Sequence, residues 1–365
     1  MEKGRIVGVI LLMTLIVLVA VGLWRQARIR ATSLIAVVRH PQRVMGTNCS
    51  LVAVVQYADK PRAQQALLDA EIALRTAEAR MSSWLANSEI SRFNQAKAGV
   101  EISLSPRTLE VLEASRQATE ETGGAFDVTC RPLIKLWERV GSRGKLPTEQ
   151  ELATARAVCG WKLFELTEHG AVKKVDEASV NLGGIAKGYA IDQAIGVLQK
   201  ADYSGGMVDV GGDLRCFGRP PIGRAWKVDV KNPFGEGRLV HLHLRKGAVC
   251  TSGNYARFVL LDDRRYSHIL DPATGYPAEA APSVTIAAPT ARAADIWATA
   301  LSVLGLDGLA RLPRGVEAFL VLGDEDHYRF LCTPGFRDLM ATPLPKPLEV
   351  VSPHSAGSRM ENVLP

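Results

Sequence analysis

Between Ile6 and Trp24 the chain runs for 19 residues without a charge, and almost every side chain is apolar. At about 1.5 Å per residue, a helix of that length nearly spans a hydrocarbon core of about 30 Å. The run is longer than the usual core of a signal peptide, and no small-x-small cleavage site follows at once. An uncleaved signal-anchor is therefore expected ahead of a cleaved signal peptide. No cysteine lies near its end, which argues against lipoprotein processing. Lys3, Arg5, Arg25, Arg28 and Arg30 flank it, where anionic headgroups would attract them. Both ends are basic, so the positive-inside rule does not settle the orientation. No later stretch is expected to span. The chain divides into an anchor at 1–30, one domain at 31–340, and a Pro- and Ser-rich tail at 341–365 expected to be disordered.

The remainder of a 365-residue chain has room for one large domain or two intimate ones. A formal charge of +6, from 44 basic and 38 acidic residues, is mild over this length, and part of it sits beside the apolar run. With 6% aromatic residues as well, nucleic acid is not an expected partner. The six cysteines (Cys49, Cys130, Cys159, Cys216, Cys250 and Cys332) form no CxxC pair and no zinc-ligand spacing. Mostly buried free thiols, with at most one bridge, are expected.

Residues 25–40 read as a linker and 44–57 as a strand. Helical spacing predicts helices over 63–81 and 106–122, the second with Ser105 as N-cap and Gly123-Gly124 as its stop. Short strands within 163–180 are expected to turn at His169-Gly170. A helix over 187–200 and a strand over 207–210 follow. Further strands are expected at 226–230, 239–244, 248–252 and 256–261, then a helix at 291–304 and a strand at 318–322. Runs of consecutive strands replace a steady βαβ alternation, which favours an α+β fold with mixed, mainly antiparallel sheets and packed helices.

Four segments combine glycine with groups able to do chemistry. In Asn181–Asp192 (NLGGIAKGYAID) a glycine pair precedes a helix, where backbone N–H groups and the helix N-terminus favour an anion and Lys187 adds a point charge. The spacing is neither a Walker A loop nor a dinucleotide fingerprint. A plain turn in which the glycines serve helix packing fits as well. Asp209–Asp213 (DVGGD) sets a glycine pair between carboxylates, and most such sequences are tight turns. In 251–277, His268 and Asp271 stand three apart, a general-base arrangement or a structural histidine. In 294–304, Asp295 and Thr299 share a helix face and offer two hard oxygen ligands suited to Mg²⁺. The simpler alternative is an aspartate answering the helix dipole and a threonine bonded to its own helix. Trp84, in MSSWLANSEISRFN, is either buried packing or a ring free to stack.

Taken in order, Met45-Gly46-Thr47, MSSW…SEISRFN, GGAFDVT…PLIKLW, NLGGIAKGYAID, VDVGGD, TSGNY, SHILDPATGYP and ADIWATAL resemble the ApbE-type flavin transferases, the FAD:protein FMN transferases. The resemblance covers about 44–305. It implies an ApbE-like fold and an FAD site in which Met45 and Trp84 flank the bound FAD and Ala125, Phe126 and Asp127 line it. Gly183, Lys187, Tyr189 and Leu270 match further contact positions. It also implies a Mg²⁺ site made of the Ala186 carbonyl and the Asp295 and Thr299 side chains, with His268 in the catalytic region. The implied reaction moves FMN from FAD to a Thr or Ser hydroxyl of a target protein and releases AMP. The implied partner is a flavinylated subunit of a membrane redox complex, met by a catalytic domain anchored in the inner membrane and facing the periplasm. An FAD diphosphatase using water in place of the hydroxyl, and an FAD carrier without turnover, are the alternatives. Asn181 stands where the family commonly has Asp, and the anchor lacks the lipoprotein cysteine of many relatives.

Overall fold

The computed structural model describes residues 2–254, 258–262 and 264–353. A long helix, α1 (Glu2–Thr32), leads directly into β1 (Leu34–Arg39) and β2 (Cys49–Gln56). Helices α2 (Lys60–Met81) and α3 (Glu89–Gln95), the short strand β3 (Ile102–Ser103) and four helices follow: α4 (Pro106–Glu121), α5 (Arg131–Glu138), α6 (Val140–Arg143) and α7 (Glu149–Ala157). Strands β4 (Phe164–Leu166) and β5 (Gly170–Lys173) precede α8 (Ala186–Lys200). Seven consecutive strands come next: β6 (Gly205–Val210), β7 (Asp213–Gly218), β8 (Trp226–Lys231), β9 (Arg238–Leu244), β10 (Gly247–Gly253), β11 (Phe258–Leu261) and β12 (Arg264–Ser267). The chain continues through β13 (Ser283–Ala288), α9 (Ala291–Leu304), β14 (Glu317–Gly323), β15 (Tyr328–Cys332), α10 (Pro334–Arg337) and β16 (Leu348–Val350).

The centre is a nine-stranded sheet in the order β1-β2-β6-β7-β10-β13-β14-β15-β16, antiparallel throughout except for the parallel β15–β16 pair. Period-two alternation sends its side chains into two cores. On β2, Leu51, Ala53 and Val55 face the helices α2, α8 and α9, whereas Val52 and Val54 face the β8–β9 hairpin with Trp226, Val228 and Leu242. Helix α2 buries Ala63, Ala66, Leu67, Ala70, Leu74, Ala77 and Met81, a single apolar stripe at helical spacing. A third cluster joins α5 and α7 to β12 through Leu133, Trp137, Leu152, Tyr266 and Leu270. The α+β architecture expected from the runs of strands is the one observed.

Several local expectations change. The linker at 25–40 is instead the end of α1 and the edge strand β1, whose Leu34–Arg39 pairs with Gln56–Leu51; Ile35, Val37 and Val38 supply the β-branched side chains that favour a strand. The strand expected from residue 44 starts at Cys49, because Val44–Thr47 closes a turn in which the Thr47 N–H donates to the Val44 carbonyl at 3.1 Å. Met45 takes φ +52 in that turn. The tail from residue 342 is ordered far enough to add β16 to the sheet, and 354–365 lie outside the described residues. The strand expected over 256–261 is described only from Phe258. Among the described residues one helical run, Ala291–Arg311, is long and apolar enough to span a membrane, yet it is mostly buried in the fold and serves as a core helix, and the N-terminal apolar stretch is the shorter Met13–Gln26. All six cysteines are free, and only Cys159 is not fully buried. Helix α1 carries the apolar stretch Met13–Gln26 with its side chains exposed, among them Leu18 and Trp24.

Candidate active site

Helices α8 and α9 meet through their first turns, and each uses an aspartate to cap the other. A helix start leaves backbone N–H groups without intrahelical partners. In α8 one of these, Gly188 N–H, donates to Asp295 Oδ2 of α9 at 2.9 Å. In α9 two of them, Ala291 N–H and Arg292 N–H, donate to Asp192 Oδ1 and Oδ2 of α8, both at 2.9 Å. Gly188 is required at the crossing, since a Cβ there would lie 2.3 Å from the Ala291 carbonyl oxygen. Thr290 completes the start of α9 by accepting from Ala293 N–H at 3.2 Å.

The loop before α8 is braced from both sides. Asn181 Oδ1 accepts from Gly183 N–H at 2.8 Å, and Asn181 N–H donates to the Val128 carbonyl at 2.7 Å. The amide oxygen thus closes this turn as a carboxylate would. Gly184 lies between Phe126 and Thr299: a Cβ there would be 3.0 Å from Phe126 Cε2 and 3.0 Å from Thr299 Oγ1. The glycine pair, the first turn of α8, the buried Phe126 ring and the Asp295/Thr299 face of α9 therefore converge on one place.

Charge at that place is concentrated. Lys187 Nζ pairs with Asp213 Oδ2, and the other Asp213 oxygen accepts from Thr251 N–H at 2.9 Å. Burial works against the Lys187 ammonium, but Asp213 and Asp295 outweigh it and hold the group above its ordinary range. Asp295, 5% exposed, is pushed up by burial to about 7, with Lys187 opposing the shift and Asp213 adding to it. Two buried carboxylates thus face one ammonium, an arrangement that an added cation would relieve.

The remaining expected site residues fall around this cluster. Met45 sits in its turn beside the Gly211 loop, where a Cβ on Gly211 would meet Thr47 Oγ1 at 2.7 Å. Ala125 and Phe126 are buried, and Phe126 N–H donates to Thr122 Oγ1 at 3.0 Å. Asp127 accepts from Thr129 N–H at 2.8 Å, and burial pushes its carboxyl up. Tyr189 is buried and directs its hydroxyl to Glu110 Oε2 at 3.4 Å. Leu270 is buried against α5 in the third cluster. His268 is exposed immediately after β12, and Trp84 stands 76% exposed between α2 and α3. Neither Trp84 nor His268 is tied into the charged cluster by the contacts just described.

Among the described residues no three or more His, Cys, Asp or Glu side chains gather as a metal site. The residues expected to hold Mg²⁺ form a mixed set: a backbone carbonyl at the first residue of α8, a buried carboxylate and a hydroxyl one turn further along α9. All are hard oxygens, and Mg²⁺ usually takes its other ligands from water and substrate phosphate. The excess of buried carboxylate beside them fits a cation there. Asp213 and Asp192 were not expected as parts of the site. Both stand at the ends of segments already singled out, DVGGD and NLGGIAKGYAID, but their partners lie far along the chain and no local spacing points to them.

The ApbE family model matches residues 45–320. The FAD:protein FMN transferase of Vibrio cholerae is 31% identical over 269 residues, covering 72% of this chain and 80% of that protein. That of Haemophilus influenzae is 30% identical, covering 74% and 82%. Among solved structures, the ApbE protein of Thermotoga maritima superposes with a TM-score of 0.75 at 28% identity, covering 84% of this chain and all of that one. The flavin transferase ApbE of Vibrio cholerae gives 0.73 at 27%, covering 84% and 99%.

Proposed function

The chain belongs to the ApbE family and moves FMN from FAD onto protein, and from that premise we propose which of its residues do the work. FAD would lie across the start of α8, with its pyrophosphate facing the Gly183-Gly184 loop and the Lys187 ammonium. Met45 and Trp84 would flank the flavin, with Ala125, Phe126 and Asp127 along one side and Tyr189 and Leu270 behind. The Ala186 carbonyl, Asp295 and Thr299 would hold Mg²⁺, which when bound neutralises pyrophosphate charge and makes AMP a better leaving group. The observation that carries this reading is the convergence of the glycine loop, Lys187 and the Asp295/Thr299 face at the crossing of two helix starts.

The acceptor is a Thr or Ser hydroxyl of another protein. Its oxygen attacks the phosphorus of the FMN half, the bond from that phosphorus to the AMP oxygen breaks, and the hydroxyl proton passes to His268. A neutral hydroxyl is a poor nucleophile, so a positioned base is needed; an exposed His268 is open to an incoming protein in a way that a buried one is not. The apolar, exposed stretch of α1 supports membrane anchoring, and the family resemblance supports a transferase domain on the periplasmic side of the inner membrane with a subunit of a membrane redox complex as acceptor.

The test incubates the full chain with FAD, Mg²⁺ and a flavinylation-competent acceptor, and compares it with the Asp295→Asn variant. In-gel flavin fluorescence after denaturation and AMP release are read together. The wild type should label the acceptor only with Mg²⁺, and Asp295→Asn should lose at least about a hundredfold in both signals. Unchanged AMP release by the variant would remove Asp295 from the metal site.

A further inference from the structure

The two helices of the site hold each other in register. Gly188 on α8 is opposite Asp295 on α9, and Asp192 on α8 is opposite Ala291 on α9. Gly188 and Asp192 are one turn apart, as are Ala291 and Asp295, so the first turns run past each other in opposite senses. One of the two cross-caps, Asp295, is a site residue. The other, Asp192, is given no role by the proposed reaction.

We propose that Asp192 is a positioning residue for the metal ligands, acting through α9. Its two carboxylate oxygens take three donors: Arg215 Nη1 at 2.7 Å and Ala291 N–H at 2.9 Å on Oδ1, and Arg292 N–H at 2.9 Å on Oδ2. The N–H pair fixes the rotation and axial position of α9, because both donors belong to its first turn. Asp295 lies one turn on and Thr299 two turns on, so any slip at Ala291 moves both relative to the Ala186 carbonyl. Close packing at Gly188 leaves the helices no slack to absorb such a slip. Arg215, on β7, completes the arrangement: it neutralises the Asp192 charge and ties the crossing to the sheet strand that also begins with Asp213, the partner of Lys187. A neutral cap such as Asn would present an NH₂ group to one of the backbone N–H donors and lose the ion pair with Arg215.

This inference rests on the proposed Ala186/Asp295/Thr299 site, and the experiment separates the two. Full-length protein in detergent is titrated with Mn²⁺ as a spectroscopic stand-in for Mg²⁺, with FAD bound, and free Mn²⁺ is followed by electron paramagnetic resonance. Wild type, Asp192→Asn, Arg215→Met and Asp295→Asn are compared, with thermal unfolding of each measured without metal. Loss of a residue that orients metal ligands typically weakens metal binding by about 10–100-fold. Asp192→Asn should fall in that range and Arg215→Met should weaken Mn²⁺ binding by a smaller factor, while both unfold as single cooperative transitions. Wild-type Mn²⁺ affinity in Asp192→Asn, with only a lower unfolding temperature, would make the residue a helix cap and nothing more. Wild-type affinity in Asp295→Asn would overturn the metal site itself and this proposal with it. Should Asp192→Asn fail to fold, Arg215→Met decides alone: unchanged Mn²⁺ affinity overturns the proposal.

Discussion

At the scale of single residues, close approach and charge govern the site. Gly188→Ala would drive a methyl into the Ala291 carbonyl, whose oxygen lies 2.3 Å from the Cβ position. Overpacking of this kind costs about 1–3 kcal/mol, so a lower urea midpoint with an unchanged slope is expected; a midpoint within error of the wild type would mean that the helices can separate freely. His268→Ala should slow FMN transfer by about 10²–10⁴-fold, the usual contribution of a general base, while FAD affinity from flavin fluorescence quenching changes little. Collapse of FAD binding in that variant would make the histidine a ligand contact and not the proton acceptor. Met45 shows what sequence reading could not reach. The family resemblance implies a place for it beside the flavin, but its left-handed backbone at φ +52 is unusual for a side chain of that size and emerges only with the turn.

At the scale of elements, the clip between β1 and α2 decides how the segment leading to Met45 is held. Glu71 on α2 pairs with Arg39 at the end of β1 and with Arg75 on its own helix, and Arg75 Nη2 donates to the Gln42 carbonyl at 3.1 Å. Burial alone would raise the Glu71 carboxyl, yet the two guanidinium groups prevail and hold it below its ordinary value. A lowered carboxylate pKa stabilises the fold above the unfolded-state value of about 4.3, and that stabilisation disappears as pH falls through the folded-state value. Glu71→Gln should cost about 1–2 kcal/mol near neutral pH, since both arginines are partly solvated, and the difference from wild type should shrink below about pH 4. A pH-independent difference in denaturation midpoint would contradict the ionic origin. The helices α2, α4, α8 and α9 were legible from apolar spacing, and Ser105 does cap α4 by accepting from Thr108 N–H. β1 was not legible, because an edge strand directly after an apolar helix has no alternation to mark it. β16 was missed for a related reason: a three-residue strand in a Pro-rich tail is specified by its partner β15, not by its own pattern.

At the scale of the whole molecule, α1 hands over to β1 within two residues, so the apolar helix and the sheet meet without a spacer. Removing residues 1–32 leaves β1 complete. The remaining chain should stay in solution without detergent and transfer FMN within about twofold of full-length rates, because no proposed site residue lies before Met45; an inactive but folded fragment would give α1 a part in transfer itself. The ordered set of motifs made the family legible, while the pairings Asp192–α9 and Lys187–Asp213 depend on the three-dimensional crossing of α8 with α9 and β7. The most direct measurement counts products in one reaction: intact-mass analysis of the acceptor beside quantification of AMP and free FMN. Transfer requires one acceptor-bound FMN for each AMP released, lost when the acceptor Thr is changed to Val. AMP matched by free FMN, with a competent acceptor left unmodified, would contradict it and make water the nucleophile.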